Sequence, residues 1–259
     1  MRIDDIKRNV KGDLGRKILF YETPDSTNTA ALNPAERNTE GLVVLSDSQG
    51  KGRGRLGRIW ISPGGVNVHM SILLKPEIQP SDATLITLMA AVACANALRK
   101  ITGIDIRIKW PNDLITVSDK KLGGILTELK IQQGEIAFAV VGIGLNVNVD
   151  TSVFPEDIRS IATSLRNETG KIYSREKIVA EVLNQMHKWY TALKRMDRES
   201  ILSEWRRLTS TLGREVVAVV GKETFKGFAE SIDDEGMLLL RLASGEIKRI
   251  CSGDLRILR

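Results

Sequence analysis

The chain of 259 residues is poor in the side chains that staple or ligate. Its two cysteines, Cys94 and Cys251, have no C-x-x-C spacing, and only His69 and His187 could join them. A structural zinc site usually takes four such ligands at short spacing, which all but excludes one here. No stretch of about 18 uncharged apolar residues occurs, the length a membrane-crossing helix needs. The opening MRIDDIKRNV lacks the apolar centre of a signal peptide. Repeats and low-complexity tracts are absent too. These absences together lead to the expectation of a soluble, cytoplasmic protein with no membrane partner.

What the chain does have is an ordinary globular balance. Apolar residues make up 42% and charged residues 27%, which rules out disorder as the dominant state. The length predicts one large domain, or one plus a small appendage, with enough core to need no disulfide or metal. The 38 basic residues exceed the 32 acidic ones, a net charge of +6. That excess suits nucleic acid, a phosphorylated ligand or an acidic partner, and equally a solvated basic surface. Position decides more than sum. The densest basic stretch runs from Lys51 to Arg58 and is interleaved with glycines.

Along the chain, KILFYE (17–22) and LVVLSD (42–47) read as short strands. Between them, Asp25-Ser-Thr-Asn28 is a helix-start signal before Thr29. Alternation from Val66 to Leu74 predicts a strand. Ser81 and Asp82 cap a helix over 85–100 that is apolar nearly all round and closed by Gly103, so it should be buried with Cys94 as a plain core residue. Ile104, Ile106 and Ile108 alternate into a strand ending in Lys109-Trp-Pro-Asn-Asp113. Segments 121–131 and 135–142 form a strand pair turned at Gln-Gln-Gly. Helices follow at about 175–195, carrying His187 as a packing residue, and at about 198–208. Beyond Leu212-Gly213, five short β-like segments separated by turn signals suggest a small barrel. The expected division is therefore a domain at 1–210 and a second at 211–259.

The segment Gln49 to Trp60 contains a literal G-x-G-x-x-G at Gly52, Gly54 and Gly57. A dinucleotide fingerprint should open a helix after a strand, but this one runs into Ile59-Trp-Ile-Ser-Pro-Gly-Gly, where Pro63 and two glycines forbid a helix. A flexible Arg/Gly tract for RNA needs many repeats, and only one block is present. The better reading is a mobile loop whose glycines let the backbone close over a ligand while Arg53, Arg55 and Arg58 meet phosphates bidentately. Lys120-Lys-Leu-Gly-Gly-Ile-Leu-Thr-Glu128 sets lysine beside two glycines, where something can approach the backbone closely. Gly142-Ile-Gly-Leu-Asn146 repeats the design.

In this order the motifs resemble those of the biotin protein ligases. The matching elements are Asp25-Ser-Thr-Asn28, Gln49 with Gly52-Arg-Gly-Arg-Leu-Gly-Arg-Ile-Trp60, Lys109-Trp-Pro-Asn-Asp113, Lys121-Leu-Gly-Gly-Ile-Leu126, Gly142-Ile-Gly-Leu-Asn146 and a C-terminal Ser252-Gly-Asp254. The resemblance spans about residues 17–259. Leu56 departs from an arginine found in some relatives, and Gly123 from an alanine. Only about 16 residues precede the first strand, too few for the helix-turn-helix domain some relatives carry, so no DNA-binding domain is expected.

The resemblance implies an α/β (α+β) catalytic domain with a mixed sheet flanked by helices, plus an SH3-like barrel. It implies ATP-dependent formation of biotinyl-5′-AMP and transfer of biotin to a lysine of a biotin carboxyl carrier domain, with Mg2+ on the ATP phosphates. It places Ser26, Thr27, Asn28 and Gln49 at the ureido ring, and Gly54, Gly123, Gly124, Ile143 and Gly144 as walls of the biotin pocket. Arg53 and Arg55 cover the carboxylate and phosphates, with Arg58 also on ATP. Trp60 packs near the adenine, Asn146 reads its edge and Asn112 sits at the phosphates. Lys121 bridges carboxylate and α-phosphate, and Asp113 contacts the metal or orients the acceptor lysine. Relatives pair by aligning sheets, so a homodimer is implied as well. The same fold serves lipoate or octanoate ligases, and a basic nucleic-acid-binding module is the competing class.

Overall fold

Apolar runs of period two in the first 145 residues build one seven-stranded sheet. The computed structural model describes residues 1–33 and 39–258. A short helix α1 (Ile3–Asn9) occupies the N-terminal stretch for which no element was expected. It is followed by β1 (Ile18–Tyr21), α2 (Thr27–Ala31), β2 (Val43–Ser46) and β3 (Val68–Leu74). Next come the buried helix α3 (Ala83–Thr102), β4 (Arg107–Lys109), β5 (Asp113–Ile115), β6 (Lys121–Gln132) and β7 (Glu135–Leu145). The order across the sheet is β1-β2-β3-β7-β6-β5-β4. Only β1 and β2 run parallel, and the remaining pairs are antiparallel.

Two small helices, α4 (Glu156–Arg159) and α5 (Leu165–Thr169), precede the long α6 (Arg175–Lys194) and α7 (Arg198–Leu208). The sequence reading missed both small ones, which are too short to show a helical period. Caps explain the boundaries. Ser174 accepts from the Lys177 amide at the start of α6, and Gly103, with φ 74°, ends α3 by returning its amide to Arg99. By length and hydropathy α3 could cross a membrane. Here it is the core helix instead, packed against α6, α7 and the sheet.

Strand periodicity sorts the sheet's two faces. Val43, Leu45, Met70, Ile72, Val141, Ile143 and Leu145 join α3, α6 and α7 in the main core. The opposite face carries α2 at one end, over Val44, Leu73 and Val140, and glycines further along. The Lys109–Asp113 motif does not simply end a strand. It is the turn of a β4–β5 hairpin, with Lys109 opposite Asp113 and a cis Trp110–Pro111 bond.

The C-terminal segment forms β8 (Glu215–Val220), β9 (Glu223–Ile232), β10 (Leu238–Leu242), β11 (Ile247–Ile250) and β12 (Asp254–Ile257). They make a five-stranded antiparallel sheet ordered β11-β10-β9-β8-β12. Its apolar face, including Val216, Ala218, Leu238 and Leu240, belongs to the same core as α3 and α7. Trp110, 1% exposed, pins the contact: its indole donates to the Gly236 carbonyl (3.2 Å) and its amide to Thr211 Oγ1 (2.9 Å).

Candidate active site

The floor of the cleft is the face of the central strands from which side chains are missing. Gly124 of β6 pairs with Gly144 of β7, and Leu126 pairs with Gly142. His69 and Ser71 of β3 flank these glycines from the next strand. A Cβ on Gly142 would lie 2.3 Å from Asn28 Oδ1, and one on Gly144 within 2.6–2.8 Å of the Trp60 indole. The glycines therefore exist to admit Asn28 and Trp60 against the sheet.

A β-bulge delivers the lysine. Between β5 and β6, Leu114 pairs with Gly123 but Ile115 pairs with Lys121, so Leu122 is the extra residue. Such a bulge reverses the side-chain alternation. Leu122 turns into the core, and Lys121 joins Gly124 on the cleft face. There its Nζ lies 2.6 Å from Asp113 Oδ1 and 5.8 Å from the Trp60 ring centre. Gly123, by contrast, faces the core against Leu114 and Leu145.

Polar groups at the α2 end form a linked set. Gln49 Oε1 accepts from the Thr27 amide (2.9 Å) and hydroxyl (3.3 Å), and its Nε2 donates to Ser62 Oγ (3.0 Å). Asn28 Nδ2 donates to the Leu126 carbonyl and to Glu128, while its Oδ1 accepts from Ser71 Oγ. Both amide hydrogens are thus spent on protein. Asn28 borders the cleft as a fixed post beside Ser26, Thr27 and Gln49.

The glycine-rich segment is an ordered hairpin. The Trp60 amide bonds the Gly52 carbonyl (2.9 Å), and the Gly54 amide bonds Arg58 (2.7 Å). Its tip turns through Leu56 and Gly57, both at positive φ. A Cβ on Gly52 would meet the Trp60 carbonyl at 2.3 Å, so this close pairing demands glycine. Each of the three arginines is held by protein acceptors. Arg53 Nη2 reaches Glu128 (2.9 Å) and Thr29 (3.3 Å), Arg55 Nη1 reaches Asn112 Oδ1 (3.1 Å) and the Gly253 carbonyl (3.2 Å), and Arg58 pairs with Asp254. Burial lowers the Arg55 guanidinium from its ordinary value, against the opposing pull of Asp254 and Asp113. Asn112 is itself held by donating to the Ile125 carbonyl (2.7 Å).

Of the expected residues, Ser26, Thr27, Asn28, Gln49, Arg53, Gly54, Arg55, Arg58, Trp60, Asn112, Asp113, Lys121, Gly124, Ile143 and Gly144 border one cleft. Two do not. Gly123 faces the core, and Asn146 is buried away from the cleft lining, donating to the Thr163 carbonyl and accepting from Asn67. Ile143 borders the cleft although its side chain belongs to the core on the other face. Sequence reasoning assigned no role to Gly142 or Asp254, which also border it. Gly142 carried a signal, the doubled glycine motif. Asp254 carried none beyond its place in Ser252-Gly-Asp254, because only the fold brings it to Arg58. Among the described residues no three His, Cys, Asp or Glu side chains gather as a metal group.

The chain matches the Biotin/lipoate A/B protein ligase family over residues 19–146 and the Biotin protein ligase C terminal domain over 211–255. It is 35% identical to the Bifunctional ligase/repressor BirA of Bacillus subtilis (strain 168), covering 94% of this chain and 75% of the relative. With the Biotin--[acetyl-CoA-carboxylase] ligase of Paracoccus denitrificans it shares 31% identity over 85% of this chain and 92% of that one. Its fold is similar to that of the biotin protein ligase from Aquifex aeolicus in complex with biotin and ATP, at 28% identity and a TM-score of 0.78, covering 94% of this chain and 99% of that structure. On sequence, fold and the arrangement of its cleft, the chain belongs to the biotin protein ligase family.

Proposed function

We propose that this protein condenses biotin with ATP to biotinyl-5′-AMP and passes the acyl group to a lysine of a biotin carboxyl carrier domain. The carrying observation is the bulge that turns Lys121 onto a glycine-floored cleft roofed by Arg53, Arg55 and Arg58. Two anions about 4 Å apart repel by roughly 4 kcal/mol at an effective dielectric of about 20. A carboxylate can attack the α-phosphate only where cations already stand, and these four gather that charge at the cleft.

In the first step a biotin carboxylate oxygen bonds to the α-phosphorus while the bond to the β-phosphate oxygen breaks. Lys121 lies where it can hold both reacting groups, once they draw it from Asp113. Arg55, fixed through Asn112 and the Gly253 carbonyl, meets the phosphates. The hairpin then keeps water from the mixed anhydride. In the second step the acceptor lysine nitrogen attacks the acyl carbon, losing its proton as AMP leaves, and Asp113 is one carboxylate that would orient that amine.

Magnesium is commonly bound by one or two carboxylates plus substrate phosphates, and Asp113 at the edge of this cationic cleft is the carboxylate that would hold it, as the alternative to orienting the amine. When bound, it would offset charge on the pyrophosphate. We assign residues 1–210 to the catalytic domain and 211–259 to a C-terminal domain that closes the site through Gly253 and Asp254.

Pyrophosphate exchange into ATP tests the reading. Exchange should require biotin, and addition of a carrier domain should yield one biotinylated lysine. Exchange driven by lipoate, or by no acid at all, would overturn it.

A further inference from the structure

The strand that supplies Lys121 carries another charged side chain toward the cleft, one the reaction above leaves unused. Glu128 is not among the residues bordering the cleft, but it holds two that are. A single oxygen, Oε2, accepts from Asn28 Nδ2 at 2.6 Å and from Arg53 Nη2 at 2.9 Å. Asn28 lies against the sheet floor and Arg53 in the glycine-rich hairpin, so one carboxylate joins the bottom of the cleft to its roof.

The other strand of the hairpin is tied to the same network. From Asn28 it passes to Ser71 (2.6 Å), from Ser71 to Thr27 (2.7 Å), from Thr27 to Gln49 and from Gln49 to Ser62. Ser62 Oγ in turn donates to the Trp60 carbonyl (3.2 Å). The outgoing strand thus hangs on Glu128 and the returning strand on Ser62. The bonds to Glu128 and Thr29 both use Arg53 Nη2, so neither draws on the Nε or Nη1 donors, which point to different sides of the guanidinium.

The Glu128–Arg53 pair is partly exposed, with 30% and 43% of the side chains accessible, so it adds little to global stability. What it fixes is geometry. An unpaired arginine side chain samples many rotamers, and ordering it over a ligand costs conformational entropy. A guanidinium already aimed does not pay that cost again when the intermediate forms.

We propose that Glu128 is a positioning residue that anchors the Arg53 arm of the hairpin over the cleft, and so sets how long the acyl-adenylate is held. The proposal rests on the ligase reading above, and its test separates the two. Full-length wild-type protein is first given biotin and labelled ATP. Failure to form a bound adenylate would count against the ligase reading itself, and with it against this proposal. With the complex in hand, release of adenylate is timed after a chase of unlabelled biotin and ATP for E128Q, E128A, R53Q and E128Q/R53Q.

Glutamine keeps an acceptor for Asn28 but removes the charge. E128Q should therefore bind biotin within about twofold of wild type and release adenylate about fivefold faster, the upper range for a part-exposed ion pair. In the R53Q background E128Q should add nothing, because the partner is already gone. E128A should weaken biotin binding as well, since Asn28 loses its post. Wild-type release from folded E128Q would overturn the proposal. So would a fivefold effect of E128Q that persists in R53Q, or equal losses in biotin binding and adenylate retention in E128Q.

Discussion

Replacing His69 with phenylalanine should flatten the acid limb of the stability curve. His69 lies on β3 between Ser46 of β2 and Gly144 of β7, 1% exposed, and among the described residues neither ring nitrogen makes a well-formed hydrogen bond. Burial, reinforced by the nearby Arg175 charge, brings its pKa down to about 4, with Asp47 and the Pro63 carbonyl opposing weakly. In the unfolded chain the ring titrates near 6.5. Because the folded value is depressed for a base, the unfolded state binds more protons between the two values. The stability that burying the neutral ring allows is therefore full above about pH 6.5 and falls as pH drops toward about 4. From about pH 7 to about pH 5 the loss from this one group comes to roughly 2 kcal/mol. Urea unfolding of wild type and H69F at both pH values measures it as the difference of two differences, which cancels every group common to both. H69F should lose roughly 2 kcal/mol less than wild type over that interval. Equal losses would show that the ring is solvated or paired in solution and that its burial does not govern its charge.

Three further outcomes follow from the site. Lys121→Ala should cut adenylate formation by at least about 10²-fold, the scale for one preorganised donor, and near-normal pyrophosphate exchange by the folded variant would remove Lys121 from the chemistry. Gly144→Ala should leave the fold intact but drive Trp60 off the floor, weakening ATP and biotin binding by about tenfold for a misfit costing roughly 1–3 kcal/mol; calorimetric titration showing unchanged affinities would contradict the packing described for Gly144. A chain ending at Ser210 should lose ligation and lower its melting temperature, because it uncovers Trp110 and the core face shared with β8 and β10, and full carrier biotinylation by that chain would overturn the assignment.

Much of this could be read in the sequence because local chemistry fixed it. Helices α6 and α7 and the five C-terminal strands are bounded by caps and turns that act within a few residues, and their expected limits differ little from those observed. The loop and the Lys121 motif stand out in the sequence because glycines beside cations have few structural uses, and the fold brings both to one cleft. What was missed depends on partners distant in sequence. Leu122 looks like any strand residue, yet its bulge decides which way Lys121 points. Gly123 and Gly124 look equivalent, but period two sends one to the core and the other to the cleft. Asn146 follows Gly142, Ile143 and Gly144, which border the cleft, yet it bonds Thr163 and Asn67. Glu128 and Asp254 are ordinary acids until the fold brings arginines to them.

The indole resting on Gly144 has an optical consequence. Of the four tryptophans, Trp60 alone borders the cleft among the described residues, while Trp110 and Trp205 are sealed in the core at 1% and 0% exposure. Among the described residues the Trp60 ring N–H has no partner, and an ammonium lies 5.8 Å from the ring centre. Any molecule entering the cleft changes both the polarity around this chromophore and its distance from that quenching charge. Its emission therefore records occupancy of the floor. The protein carries a built-in fluorophore at the point where its roof meets its floor, and unlabelled ligand can be followed there in real time.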